Sequence, residues 1–345
     1  PPKWSLGYHQ SRYSYKNEKE LINLTNNFRD KNIPCDVVHL DIHYMDDYRV
    51  FTWDNNRFPD PKKMINELRK EGFNIVNIID PGIKKDAGYE VYKEGIEKDY
   101  FCNYLDGEIY KGDVWPGESV FPDFTKKEVR NWWADLHKKV LNKGTRGIWN
   151  DMNEPAVFNE SSTMDEDVYH ENDGNPGLHK RFHNQYALLE AMGTYKGIKK
   201  YNQERPFVLS RAAFSGIQRY AAVWTGDNRS IWQHLKMAIP MLLNMGISGL
   251  NFSGTDVGGF SEDSNGELLT RWTQLGVFMP LFRNHSSIYT VSQEPWAFGE
   301  KYEKIIKKFI NLRYKLLPHL YNLFYETNKT GVPILRPLFL EFPDD

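Results

Sequence analysis

Eight short apolar stretches, each followed by a longer amphipathic one, constrain this chain more than any other feature of it. The strand candidates are 4–10, 35–42, 73–80, 146–151, 206–211, 221–227, 248–254 and 276–282. Helical patterns lie near 17–31, 60–71, 126–143, 180–201, 230–245, 266–275 and 298–328, several opened by Asp, Asn, Ser or Pro in cap or first-turn positions. The strands read as near-continuous apolar runs, which suits a parallel sheet covered on both faces. An α/β fold of eight such units closes into a (β/α)8 TIM barrel without edge strands, and residues 1–345 are expected to form that one barrel.

Two connections are too long for simple turns. Residues 81–125 follow the third strand and 154–180 the fourth; both mix Gly, Pro, Asn, Asp and aromatics in no helical period. They are expected to be insertions at the C-terminal face of the barrel, where long loops usually serve function.

The formal net charge of -2 supplies no field for nucleic acid or an anionic membrane, so neither is expected as a partner. A small neutral ligand fits better, and an aromatic content of 14% suits flat surfaces that stack on one. Cys35 and Cys102 read as buried thiols, giving neither a disulfide framework nor a cysteine-based zinc site, and no cofactor motif is present. No long apolar run or signal pattern occurs, which favours a cytoplasmic location, although Pro1-Pro2 in place of an initiator Met indicates numbering from inside a longer protein.

Polar residues gather where strands end: Asp41, Asp80, Asp151, Arg211, Asp227 and Asp256, with Trp149 and Trp224 beside them and Trp115 in the first insertion. Each Asp alone reads equally well as the cap of the following helix. Together, acids at the C-terminal strand ends of a barrel converge, and paired carboxyls among aromatic walls suit glycoside hydrolysis, one as acid and one as nucleophile or base. His39, Asp41 and His43 would share one side of a strand, which also admits a metal-dependent barrel hydrolase; a non-catalytic sugar-binding protein on the same fold is a further alternative.

The blocks IWNDMNE (148–154), LSRAAFSG (209–216), WTGDN (224–228), GTDVGGF (254–260) and RNHS (283–286), with HLDIHYMD (39–46) and DVWPGESVFPDFT (113–125), carry a resemblance. In this order, over essentially the whole chain, they are similar to the signature blocks of glycoside hydrolase family 31, the α-glucosidase and α-xylosidase group. The resemblance implies a retaining, exo-acting α-glycosidase that takes an α-glucoside or small oligosaccharide and uses neither metal nor cofactor. Asp151 matches the nucleophile and Asp227 the general acid/base. Asp41, Arg211, Asp256 and His285 match residues that bond the sugar hydroxyls. Ile42 fits the family's α-glucosidase pattern, and Ile78, Trp115, Trp149, Met152, Trp224 and Phe260 match the apolar lining. Glu154 is left a structural role, and α-xylosidase is the alternative within the family. The β domains that usually flank the family's barrel are absent from this chain.

Overall fold

Short parallel strands alternate with long helices in the computed structural model, which describes residues 1–344. Strands β1 (Tyr8–Gln10), β2 (Val37–Leu40) and β3 (Asn74–Ile79) precede the first insertion, which holds β4 (Ile83–Lys84), β5 (Lys111–Val114) and β6 (Gly117–Val120). β7 (Gly147–Asn150) leads into the second insertion with β8 (Tyr169–His170) and β9 (Gly177–Leu178). β10 (Val208–Ser210), β11 (Ala222–Trp224), β12 (Ser253–Gly254), β13 (Asp256–Val257) and β14 (Phe282–Asn284) complete the set. The chain packs as two compact units, one of residues 1–41, 63–76 and from 222 on, the other of 42–62 and 77–221.

In the first unit β2, β1, β14 and β13 form a continuous parallel ladder, with His9 opposite Val37, Tyr8 opposite Phe282 and Asp256 opposite Arg283. Every residue of these strands is buried, as both faces of a parallel sheet require. The stretch expected to be one strand over 248–254 instead contributes β12 at its end, and β13 follows after Thr255: β12 pairs with β11 and β13 with β14. The strand expected over 276–282 begins only at Phe282. Arg313, on the helix Glu300–Thr330, explains this locally: its guanidinium donates to the carbonyls of Val277 (2.8 Å), Met279 (2.6 Å), Pro280 (2.8 Å) and Leu6 (2.7 Å). Those carbonyls are turned to a side chain rather than to a neighbouring strand. Burial pulls the Arg313 pKa down to about 9, so it keeps its charge at neutral pH among carbonyl dipoles. Arg313→Met is expected to leave these acceptors without a donor and to cost about 3–5 kcal/mol, measured by urea denaturation; an unchanged midpoint would refute the role.

The second unit holds the parallel pair β7 and β10, with Leu209 opposite Trp149 and Ser210 opposite Asn150. The helix His179–Tyr201 packs on Lys127–Leu136 so closely that a Cβ on Gly197 would lie 2.5 Å from the Ala134 carbonyl oxygen, so only glycine fits there. The helix expected over 126–143 breaks at His137, whose ring Nδ1 donates to the Trp133 carbonyl (2.7 Å), and resumes as Lys138–Leu141.

Both insertions contain regular structure that the sequence pattern did not predict. The first folds as an antiparallel sheet in the order β4-β6-β5 with a helix at Glu90–Glu97, and Trp115 stands at the β5–β6 hairpin tip. The second carries the antiparallel pair β8–β9. Asp123 of the first insertion accepts from His170 Nδ1 (2.8 Å) and the Glu171 amide (2.9 Å) of the second. Beyond it His170 Nε2 meets His179 Nδ1 (3.0 Å), and His179 Nε2 meets His183 Nδ1 (3.0 Å). Burial pushes the Asp123 pKa up, but hydrogen bonds and charge from His170, with Thr125 and Glu171, outweigh it and hold it below its ordinary value. Cys35 and Cys102 are both free and buried, as expected. No helix among the described residues is long and apolar enough to cross a membrane.

Candidate active site

Asp151 follows the last residue of β7, and its immediate surroundings are polar and closely tied. Arg211, just past β10, is ion-paired through Nη1 with Asp151 (3.1 Å) and forms a two-pronged hydrogen-bonded pair with Glu154 (Nε to Oε1 2.9 Å, Nη2 to Oε2 2.8 Å). Such a planar fork fixes the Glu154 carboxylate in direction as well as distance. The same guanidinium lies 3.2 Å from the Met152 sulfur, and the Arg211 amide donates to the Asn150 carbonyl (3.1 Å). Met152 sits at φ 54, in the left-handed region that a non-glycine residue occupies only when its surroundings demand it. Glu154 is thus held by the Arg211 guanidinium. Trp149 and Ile78 lie buried within β7 and β3, and Ile42 is buried in a short 3-10 helix, Ile42–Tyr44. Tyr44 of that helix donates to the Ile78 carbonyl (2.8 Å).

A second cluster forms in the other unit around Asp256, which is wholly buried on β13 and paired with Arg283 at 2.7 Å. The Arg283 guanidinium lies 4.7 Å from the centre of the Trp224 ring, a desolvated cation over an aromatic face. Phe260 stacks on His285 with ring centres 4.9 Å apart and planes 22° from parallel, and His285 Nδ1 meets the Ser11 hydroxyl at 2.7 Å. Burial, then the charges of Arg283 and Arg12, pull the His285 pKa well below its usual value, so the imidazole is neutral at neutral pH. Asp227 follows Gly226, whose φ of 76 turns the chain out of β11, and is exposed. Its neighbour Asn228 is buried and pinned: it donates to the Asp256 carbonyl (3.0 Å) and accepts from the Phe260 amide (3.0 Å). Asp41 is buried immediately after β2.

The structure therefore groups Asp151, Met152, Arg211 and Glu154, and separately groups Trp224, Asp256, Phe260 and His285. Trp115 is 38% exposed and meets Phe158 edge-on at 5.1 Å. The premise of a His-x-Asp-x-His strand fails: β2 ends at Leu40, His43 belongs to the 3-10 helix, and the buried His39 ring is bonded to His9 at 3.0 Å. Among the described residues, Cys102, Asp123 and His170 come close enough to share an ion. The Asp123 oxygens there already accept from Thr125 (Oγ1 2.5 Å, amide 3.1 Å), His170 and Glu171. The sequence reading missed Arg283, Asn228 and Glu190. Glu190 carried a signal, since with Phe182 and Tyr186 it continues an i, i+4, i+8 stripe that is otherwise apolar.

Residues 1–323 match the glycosyl hydrolases family 31 TIM-barrel domain. The chain belongs to glycosyl hydrolase family 31. Its fold class is accordingly the (β/α)8 barrel that the strand and helix alternation indicates. This family 31 chain is 60% identical to Alpha-glucosidase 2 of Bacillus thermoamyloliquefaciens over 346 aligned residues, covering all of the chain and 44% of that relative. It is 43% identical to human Neutral alpha-glucosidase AB, covering all of the chain and 37% of that protein. The chain thus spans less than half the length of these curated relatives. Among solved structures, the glucosidase II alpha subunit bound to Glc1Man2 superposes with a TM-score of 0.95 at 41% identity, over 99% of this chain and 38% of that one. A family 31 alpha-glucosidase from Bacteroides thetaiotaomicron superposes with a TM-score of 0.90 at 43% identity, over all of this chain and 56% of that one.

Proposed function

We propose that this family 31 barrel is the catalytic domain of a retaining, exo-acting α-glucosidase. The observation that carries the reading is the Asp151 cluster, a carboxylate at the end of a parallel strand with a guanidinium 3.1 Å away, in a chain 60% identical to an α-glucosidase. Asp151 attacks the anomeric carbon while Asp227 gives its proton to the departing glycosidic oxygen. The carbon–oxygen bond breaks as the Asp151 ester forms. Water then attacks from the opposite face, Asp227 takes its proton, and the released sugar keeps the α configuration. This course requires the two carboxyl groups about 5–5.5 Å apart. An exposed Asp227 suits a group that must exchange protons with both leaving group and water.

Asp41, Arg211, Asp256 and His285 hold the sugar hydroxyls, the neutral imidazole of His285 being able to give or take a hydrogen bond. Ile42, Ile78, Trp115, Trp149, Met152, Trp224 and Phe260 supply apolar contact with the ring faces and C6. Charged groups around the terminal hydroxyls leave no place for a further residue at that end, which makes cleavage exo.

The test is hydrolysis of p-nitrophenyl α-glucoside beside the α-xyloside, with the first-formed anomer read by NMR and a parallel reaction in chelator. Chelator-resistant release of α-glucose supports the reading; preference for the xyloside moves it to α-xylosidase, and β-sugar as first product sinks the retaining mechanism. Asp227→Ala is expected to lose about 10²–10⁴-fold on substrates with poor leaving groups and far less on activated ones. Equal loss on both would remove Asp227 from the acid role.

A further inference from the structure

Glu190 is wholly buried on the inward side of the helix His179–Tyr201. Its two oxygens accept from two asparagines that bracket Asp151 in sequence: Oε1 from Asn150 Nδ2 (3.2 Å) and Oε2 from Asn153 Nδ2 (2.9 Å). Asn150 also donates to the Ile79 carbonyl (3.3 Å), tying the end of β7 to the end of β3. Asn153 donates to the Ser210 hydroxyl (2.9 Å) and accepts from the Ala212 amide (3.0 Å), tying the turn to the residues around Arg211. Ser210 in turn donates to the Ala212 carbonyl (2.8 Å). One side chain on a distant helix thus holds the turn on both sides of Asp151, and Met152 keeps its left-handed φ of 54 within that grip.

A buried carboxyl is a costly way to fill a position on an apolar stripe, where leucine would have cost nothing in desolvation. Its presence calls for a use, and among the described residues its hydrogen bonds are to those two asparagines. We infer that Glu190 is a positioning residue for the first chemical step: it sets the direction of the Asp151 carboxylate through Asn150 and Asn153. The inference rests on Asp151 being the nucleophile. Burial, then the charges of Asp80, Asp151 and Glu154, push the Glu190 pKa well above the carboxylate range, against the Asn153 hydrogen bond that lowers it.

The test measures covalent labelling of the full chain by 5-fluoro-α-D-glucosyl fluoride, which builds up the glycosyl-enzyme, with mass spectrometry giving the labelled residue, the final extent and the rate. In Glu190→Leu the extent is expected to match the parent protein while the rate falls about 10²-fold, the scale of a displacement of about 1 Å at the reacting group. KM for p-nitrophenyl α-glucoside is expected to stay within about threefold. Glu190→Gln, which keeps one oxygen to accept from an asparagine and loses the other acceptor, is expected to label faster than Glu190→Leu and slower than the parent. Asn150→Ala, which cuts one contact from outside the helix and keeps the helix packing, is expected to slow labelling about tenfold and serves if the leucine variant does not fold. A parental labelling rate in Glu190→Leu or Asn150→Ala, or a reduced extent at unchanged rate, overturns the inference, as does a glutamine variant no faster than leucine. Labelling of the parent at a residue other than Asp151 instead overturns the proposed function.

Discussion

Asp151→Ala is expected to lose at least about 10⁴-fold in kcat on every α-glucoside, the scale reached when a covalent nucleophile is removed. The loss should be specific to the chemistry, because the residue's neighbours hold themselves in place. Arg211 keeps its fork to Glu154 at 2.8 and 2.9 Å without Asp151, and Asn150 and Asn153 keep their bonds to Glu190. The methyl side chain leaves room on the face from which the carboxylate attacks. Azide added to the variant with p-nitrophenyl α-glucoside should therefore restore part of the turnover and give β-glucosyl azide, since attack from that face inverts the α centre. Absence of any β-azide product, in a variant whose urea midpoint matches the parent, would count against Asp151 as the nucleophile.

Acid is expected to unfold the protein steeply between pH of about 6.5 and 4.5. Burial lowers the pKa of His9 to about 3, of His137 to about 4 and of His179 to about 3, and takes His39 and His285 well below the ordinary value. These imidazoles stay neutral in the folded chain, whereas in the unfolded chain they take up protons as pH falls through about 6.5. The unfolded state then binds more protons than the native state, so stability falls with pH from about 6.5 down towards the folded values. Asp36, raised by burial to about 6, and Glu190, raised well above the carboxylate range, act in the opposite sense. Between pH of about 4.5 and 6 they retain protons in the folded chain that the unfolded chain has released, which offsets up to two of the five imidazoles. The net of about three protons gives a slope of about 4 kcal/mol per pH unit, large against a total stability of about 5–15 kcal/mol. Urea midpoints across that range check it, and a flat profile would show that these histidines are not buried neutral. His137→Gln should reduce the slope by about 1.4 kcal/mol per unit, one proton's worth.

How much of this was legible in the sequence follows from the range of the interactions involved. Asp151, Arg211, Trp224 and Asp256 stand where apolar runs stop, and burial of those runs in a parallel sheet is a local signal that survives into the structure. The helices also kept their expected positions, because amphipathic periodicity and caps such as Asn17 and Asn265 act within a turn or two. What the pattern could not give was set by partners far away in sequence. The stretch 276–282 is apolar enough for a strand, but three of its carbonyls face Arg313, more than thirty residues on. The sheet of the first insertion depends on pairing Ile83 with Val120, across a helix of its own. Glu190 is visible as a misfit on an apolar stripe, yet only the fold shows that it reaches Asn150 and Asn153.

The stitching of one insertion to the other has a consequence for how such a protein changes its tastes. Asp123 grips His170 and Glu171; beside it the Thr125 hydroxyl accepts from the Asn172 amide (2.9 Å), the Asn103 carbonyl from the Tyr169 amide (2.7 Å), and the Asp113 carbonyl from the Phe158 amide (2.8 Å). Loops on a barrel are usually thought of as interchangeable parts, each free to vary on its own. Here a graft that replaces one of these two segments strands the buried polar groups of the other, at about 1–3 kcal/mol for each group left without a partner. A graft is therefore expected to keep its stability only when both segments are carried together.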